Sequence, residues 1–171
     1  MVLQINNLGR GKYLHDENIL EDDNKFCIGV AGYPEKHIEA PSMNYDLKWL
    51  KEKVDAGADY IVTQMFFDNK KFINFVKEAR EMGIHVPIIP GIKPIATKGH
   101  LQMLPKVFKI DLPEDLISAV EKAKDNAAVK QIGIEWCIEQ SKSLVAAGIP
   151  VLHYYSMGKA ENIKAIAKEI F

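Results

Sequence analysis

The residues best suited to chemistry in this chain stand where apolar runs of the sequence end. Tyr33 ends the first run and His37 follows it, Gln64 lies near the end of the second, Lys93 follows the third and Tyr155 ends the fourth. An amide can pair with the edge of a heterocycle, and a lysine can act as a cation or as an amine nucleophile. In α/β sheets and barrels, ligands bind at the carboxyl ends of the strands. The pattern therefore predicts that these side chains meet in one ligand site.

The apolar runs that must position these residues cover 26–33, 60–67, 86–92 and 150–155. Continuous apolar runs of this length are typical of parallel strands that are covered on both faces. Helical patterns separate the runs. The predicted helices are one that begins at Ser42 and is closed by Gly57, and those at 70–82, 101–108, 113–123, 129–147 and 160–170.

Alternation of strands and helices predicts a parallel sheet with right-handed crossovers, an α/β fold of four βα units. Four strands form either a thin doubly wound sheet or half of a (β/α)8 TIM barrel. A closed barrel needs about 250 residues, and the chain has 171. We therefore expect a half-barrel over 26–171, preceded by an entry segment at 1–25 that lacks the periodicity of a separate domain.

Composition narrows the class of protein. The net charge of −1 gives no basic field for nucleic acid or for an anionic membrane surface. No apolar stretch approaches the roughly 20 residues of a membrane span, and because residues 1–4 are not a charged region followed by an apolar one, we do not expect secretion. Cys27 and Cys137 are expected to be reduced thiols, and the histidines show no metal-ligand spacing. No Gly-x-Gly-x-x-Gly motif follows a strand. We expect a cytoplasmic protein without a metal.

Five segments in register resemble the methylenetetrahydrofolate reductase family. They are residues 30–40, 53–58, 63–68, 88–94 and 153–156. The resemblance covers about residues 2–171 and implies the C-terminal half, strands five to eight, of a (β/α)8 barrel that holds FAD. The acidic general acid of the family is then expected in the missing N-terminal half, so no catalytic residue is assigned within this chain.

The resemblance also implies which residues contact FAD. They are Tyr33, His37, Ala40, Asp46 and Lys53. Lys53 would offer a cation to phosphate oxygens. Helical spacing alone places Asp46, Trp49 and Lys53 on one stripe of a helix, which favours an ordinary solvated face.

The substrate-binding residues implied by the resemblance are Gln64, His100, Leu104 and Lys159. Gln64 would bind the folate pterin, although a buried amide at a strand end is equally well explained by structural pairing. His100 stands where some relatives have glutamine. Lys159 stands where an arginine that reaches the folate tail often occurs, so a cation remains without the bidentate fork.

The implied function is reduction of 5,10-methylenetetrahydrofolate to 5-methyltetrahydrofolate with NADH or NADPH, in one-carbon and methionine metabolism. The chain alone is expected to be inactive and to form a homo-oligomer. Two alternatives stay open. One is a non-catalytic half-barrel that self-associates through its open sheet edges. The other is an aldolase-like half-barrel that uses Lys93, although Ile92 and Pro94 supply no activating charge.

Overall fold

Four parallel strands form a single sheet in the computed structural model of the protein, which describes residues 1–12, 26–158 and 160–171. Neighbours in sequence are neighbours in the sheet, in the order β1-β2-β3-β4. Each predicted strand is confirmed, and each is shorter than its apolar run. The strands are β1 (Gly29–Gly32), β2 (Tyr60–Met65), β3 (Ile88–Ile92) and β4 (His153–Tyr154).

Helices follow every strand, and three lie between β3 and β4. This α/β arrangement is that of half a (β/α)8 barrel, as predicted. None of the described helices is long and apolar enough to cross a membrane. The helices are α1 (Val2–Gly9), α2 (Met43–Asp55), α3 (Asn69–Glu81), α4 (His100–Phe108), α5 (Glu114–Lys122), α6 (Asn126–Ala146) and α7 (Ala160–Ile170).

The first helix, α1, was not predicted. It lies in the proposed entry segment 1–25, of which residues 13–25 fall outside the described residues. Val2 and Ile5 of α1 pack with Ile28 and Ala58, which lie beside the first two strands. A short helix with only two apolar contact residues gives too weak a periodic pattern to detect from the sequence.

Side-chain caps explain where the long helices begin. The Ser42 hydroxyl accepts a hydrogen bond from the Tyr45 N–H at 3.2 Å, which confirms the predicted start of α2. Helix α6 begins three residues before the predicted position 129. The cause is Asp125, whose carboxylate accepts from the Ala128 N–H at 2.8 Å and so extends the helix to Asn126.

The sheet is packed on its helix side. Phe66 and Phe72 stack there with ring centroids 5.1 Å apart. The core cluster on this side includes Leu47, Leu50, Ile61, Phe66, Phe72, Phe75, Ile84, Ile88, Ile92, Leu144 and Ile166. A second core cluster contains buried residues of α4, α5 and α6.

The opposite face of the sheet is open. Ala31, Val62 and Ile89 lie in register across the first three strands on this face. Ala31 is exposed, and the other two side chains are only half-buried. In a closed barrel this face would meet the strands on the far side. We call it the inner face.

Candidate functional site

The predicted meeting of polar side chains at one edge of the sheet is confirmed. The Tyr155 hydroxyl donates to the backbone oxygen of Thr63 at 2.9 Å, so the side chain that follows β4 reaches across Gly91 of β3 to β2. The Lys93 Nζ lies 3.4 Å from the backbone oxygen of Tyr155. Tyr33 and Gln64 line one narrow gap at the same edge. Tyr33, Lys93 and Tyr155 directly follow their strands, and Gln64 is the last residue but one of β2.

A cleft beside β1 contains every residue that the resemblance assigned to FAD. We call it the β1 cleft. Its volume is about 260 Å³. Three aromatic or acidic neighbours join the predicted residues. The lining residues are Tyr33, His37, Glu39, Ala40, Tyr45, Asp46, Trp49 and Lys53.

Asp46 holds the loop that forms one wall of this cleft. Its carboxylate accepts a hydrogen bond from the His37 N–H at 2.7 Å, which ties the loop after β1 to the first turn of α2. The Lys36 ammonium donates to the backbone oxygen of His37 at 3.1 Å and also to that of Ala40. Asp46 is thus a structural residue of the site, a role that helical spacing did not indicate.

The side chains of the β1 cleft combine aromatic surface with hydrogen-bonding groups and a cation. Tyr33 and His37 meet edge to face, with ring centroids 4.7 Å apart. Burial, reinforced by the charge of Asp46, raises the pKa of the Tyr33 hydroxyl, which therefore stays a donor at neutral pH. Trp49 is exposed, and Lys53 is half-buried on the same helix. This donor set suits an aromatic ligand that carries phosphate.

The predicted substrate-binding residues do not line one cleft together, unlike the predicted FAD-binding residues. The Gln64 side-chain oxygen accepts from the Met65 N–H at 3.0 Å, so part of this amide is paired within its own strand. His100 begins α4, and its Nδ1 accepts from the Ala96 N–H at 3.2 Å. Leu104 is fully buried in the second core cluster, so its contact with folate stays a prediction. Lys159 lies outside the described residues.

Glu35 is a residue of the site that the sequence analysis passed over. One carboxylate oxygen accepts from the Asp111 N–H at 2.6 Å, and the other lies 3.3 Å from the Lys71 ammonium. Burial raises the pKa of this carboxyl, although the hydrogen bond from the Asp111 N–H and the charge of Lys71 act in the opposite direction. The contact between Glu35 and Lys71 anchors the loop after β1 to α3. The signal was present in the sequence as an acid inside the loop between Tyr33 and His37.

Lys93 is buried, with only 5% of its surface exposed. Burial lowers the pKa of its ammonium group. A less basic amine is a better nucleophile at neutral pH. The contact seen among the described residues is the carbonyl of Tyr155 rather than an acid. The aldolase-like alternative therefore stays a prediction.

Comparison with known proteins agrees with the predicted family and fold. The family model described as methylenetetrahydrofolate reductase matches residues 12–170. A probable methylenetetrahydrofolate reductase (NADPH) of Caenorhabditis elegans is 41% identical over 152 residues, covering 88% of this chain and 23% of the relative. Methylenetetrahydrofolate reductase (NADH) 1 of Arabidopsis thaliana is 48% identical over 143 residues, covering 77% and 24%.

A solved structure shares the fold. It is an uncharacterized protein from Clostridium thermocellum that binds two copies of 5-methyl-5,6,7,8-tetrahydrofolic acid. The TM-score is 0.55 at 20% sequence identity, and the match covers 84% of this chain and 52% of that one. The chain thus has the fold of a half-barrel of βα units, with polar side chains at the carboxyl ends of its strands.

The chain belongs to the methylenetetrahydrofolate reductase family. It spans about a quarter of the length of the curated relatives it matches.

Proposed function

We propose that the chain forms the C-terminal half-barrel of an FAD-dependent enzyme that reduces 5,10-methylenetetrahydrofolate to 5-methyltetrahydrofolate with NADH or NADPH. Family membership supports the reaction, and the names of relatives mention both nucleotides. The observation that carries the proposal is the β1 cleft. It gathers Tyr33, His37, Ala40, Asp46 and Lys53 from the loop after β1 and from the helix that follows it.

The β1 cleft fits one side of a flavin dinucleotide. Lys53 would bind phosphate oxygens, since an ammonium group and a phosphate form a charge-assisted hydrogen bond. The Tyr33 and His37 rings would pack against an aromatic ring of FAD, and Asp46 would keep their loop in place. FAD, when bound, supplies hydride transfer, and the protein supplies binding and orientation.

Gln64 would orient the folate. Its side chain lies at the carboxyl end of β2, and the gap that it lines also contacts Tyr33. A pterin ring presents donors and acceptors side by side, and an amide can match such an edge with both of its groups. Because Oε1 already accepts from Met65, the amide nitrogen is the group we assign to the pterin.

This chain would not turn over substrate by itself. The four strands of the described residues leave the inner face open, and the residues that line the β1 cleft come from the loop after β1 and from α2. Losing contacts worth about 4 kcal/mol, roughly three hydrogen bonds to charged groups, weakens binding about a thousandfold. We therefore expect the purified chain to be colourless.

Titration with FAD tests the proposal. We expect quenching of flavin fluorescence at high concentration of the chain, and about tenfold weaker binding by Lys53→Met. The matched control is Lys48→Met, because Lys48 is an exposed lysine of the same helix that does not line the β1 cleft. Equal affinities for the two variants would refute the phosphate role of Lys53. If the purified chain is yellow from bound flavin, half of the site is sufficient for binding, and this part of the proposal is refuted.

A further inference from the structure

Glu35 lies in the middle of the loop that carries the two aromatic rings of the β1 cleft. It is two residues from Tyr33 and two from His37, yet it does not line that cleft. Instead it lines the narrow gap that Tyr33 shares with the segment after α4. Only 9% of its side chain is exposed. A carboxylate is buried to this extent only where partners hold it, so those partners decide what Glu35 does.

The loop needs such support because its backbone is strained. Lys36 has a φ of 72°, in the left-handed region, which costs free energy for any residue that has a Cβ. Its N–H donates to the backbone oxygen of Tyr33 at 3.0 Å and closes a tight turn there. A strained turn persists only when surrounding contacts hold it. Asp46 holds the far end of the turn, at the His37 N–H, and Glu35 lies within the turn itself.

Glu35 joins the turn to two other parts of the molecule. One carboxylate oxygen accepts from the Asp111 N–H at 2.6 Å, in the connection between α4 and α5. The other oxygen, Oε1, lies 3.3 Å from the Nζ of Lys71, at the beginning of α3. Lys71 gives its hydrogen bond to the Asp111 carboxylate, so its contact with Glu35 is an ion pair without a hydrogen bond. Three segments that are distant in sequence therefore meet at one carboxylate.

Lys71 supplies the positive charge of this cluster. Burial by itself would lower the pKa of its ammonium group, but the hydrogen bond with Asp111 and the charge of Glu35 outweigh burial, and the pKa is raised. Lys71 is therefore a cation at neutral pH. It lines neither the β1 cleft nor the gap with Tyr33. Its short-range effect on a ligand of the cleft must pass through its acidic partners.

We propose that Glu35, held by Lys71 and by the Asp111 N–H, is a positioning residue for the ligand of the β1 cleft. It fixes the turn that carries Tyr33 and His37, so that their edge-to-face pair is formed before a ligand binds. Rings that are already in place bind more tightly, because less conformational entropy is lost on binding. This inference deepens the proposed FAD site and rests on it for the identity of the ligand.

Proton NMR of the His37 ring tests the positioning without FAD. Two rings in edge-to-face contact shift each other's proton resonances, and the His37 signals among those of five histidines are identified by their loss in His37→Gln. We expect these signals to move towards the positions of free histidine in Glu35→Gln and in Lys71→Met. Lys71 is partly exposed, so its variant serves the test if Glu35→Gln fails to fold. Unchanged His37 signals would overturn the proposal.

Titration with FAD separates positioning from general electrostatics. The diphosphate of FAD is an anion, so removal of an acid would by charge alone strengthen binding. We expect the opposite for Glu35→Gln, about threefold weaker binding, and a similar loss for Lys71→Met. The control is Lys70→Met, which removes the same charge from the exposed neighbouring lysine and should leave the affinity nearly unchanged. Tighter binding by Glu35→Gln, or equal losses in the two lysine variants, would overturn the proposal.

Two further variants test whether Glu35 and Lys71 act as a pair. Lys71→Arg keeps the cation and should keep both the FAD affinity and the His37 signals of the unmodified chain. The double variant Glu35→Gln with Lys71→Met should bind FAD no more weakly than either single variant, because no ion pair is left to break. Losses that add in full would overturn the pair. If the unmodified chain does not quench FAD fluorescence, the proposed cofactor is refuted, and the His37 signals alone decide the role of Glu35.

Discussion

The two faces of the sheet differ in how completely their side chains are buried. On the helix side, Ile61 and Ile92 are completely buried within the large core cluster. On the inner face, Ala31 is exposed, and its neighbours in register, Val62 and Ile89, are half-buried. The same sheet thus has one face whose side chains are covered by helices and one face whose side chains remain partly exposed.

This difference separates stability from function. The helix-side core is the largest cluster of buried apolar side chains among the described residues, so it contributes more hydrophobic stabilisation than the open face. The inner face and the carboxyl edge carry Gln64 and Tyr155 together with the proposed substrate contacts. Changes on the first face should therefore alter folding, and changes on the second should alter association and binding.

The sharpest contrast is expected between Phe72→Ala and Val62→Ala. Phe72 is fully buried and stacks on Phe66, so its truncation leaves a cavity and costs about 4 kcal/mol of the free energy of unfolding. Val62 is half-buried, so its truncation should cost about 1 kcal/mol or less. Urea denaturation followed by circular dichroism measures both. Similar losses would mean that the inner face is packed in solution, through a second copy or otherwise.

Self-association through the inner face is the next largest effect. We expect the chain to self-associate, and Ile89→Lys to weaken association about a hundredfold by placing a charge on the apolar face. Val107→Lys is the control, because Val107 is an exposed valine on α4, outside this face. Light scattering at several protein concentrations gives the mass of each variant. An unchanged mass for Ile89→Lys would assign association to another surface.

Loss of the Gln64 amide should weaken folate binding about tenfold. The pterin gives up hydrogen bonds to water when it binds, and Gln64 replaces one of them. Gln64→Leu cannot, so a polar atom of the bound pterin would be left without a partner. Calorimetry with 5-methyltetrahydrofolate measures the effect on the full chain. Gln102→Leu is the control, since Gln102 is exposed on α4 and does not line the gap with Tyr33. Equal affinities would leave Gln64 as a residue that only pairs with its own strand.

The sequence predicted the strands and most helices because their signals are local. Four apolar runs gave four strands, and Ser42 marked the beginning of α2. Asp125 was overlooked as a cap, and therefore α6 was placed three residues late. Helix α1 was missed because Val2 and Ile5 acquire their packing partners only in the folded chain.

The site was predictable only in part, because its geometry depends on contacts distant in sequence. Periodicity placed Asp46 on a solvated face, yet its carboxylate holds the His37 loop. Glu35 bonds to Asp111, 76 positions later, and no spacing rule relates the two. The Asn69 amide donates to the backbone oxygen of Gln140, 71 positions later, and this contact forms only when α6 packs against the beginning of α3.

The smallest effect expected on this comparison concerns Lys93, a charged side chain buried at the carboxyl edge. Its ammonium group is desolvated, so its pKa in the folded chain lies below the unfolded value of 10.5. At neutral pH the folded state therefore carries the cost of a buried charge that the unfolded state does not. Lys93→Met keeps the length of the side chain and should raise the free energy of unfolding by about 1 kcal/mol at pH 7.

The extra stability of Lys93→Met should depend on pH. The unfolded chain binds more protons at Lys93 between the two pKa values, so the stability of the unmodified protein rises with pH through that window. Lys93→Met lacks this dependence, and its advantage should shrink as the pH rises from the folded pKa towards 10.5. Urea denaturation at several values of pH compares the two proteins. A variant that is less stable at pH 7 would show that the contact of Lys93 with the Tyr155 carbonyl outweighs its desolvation.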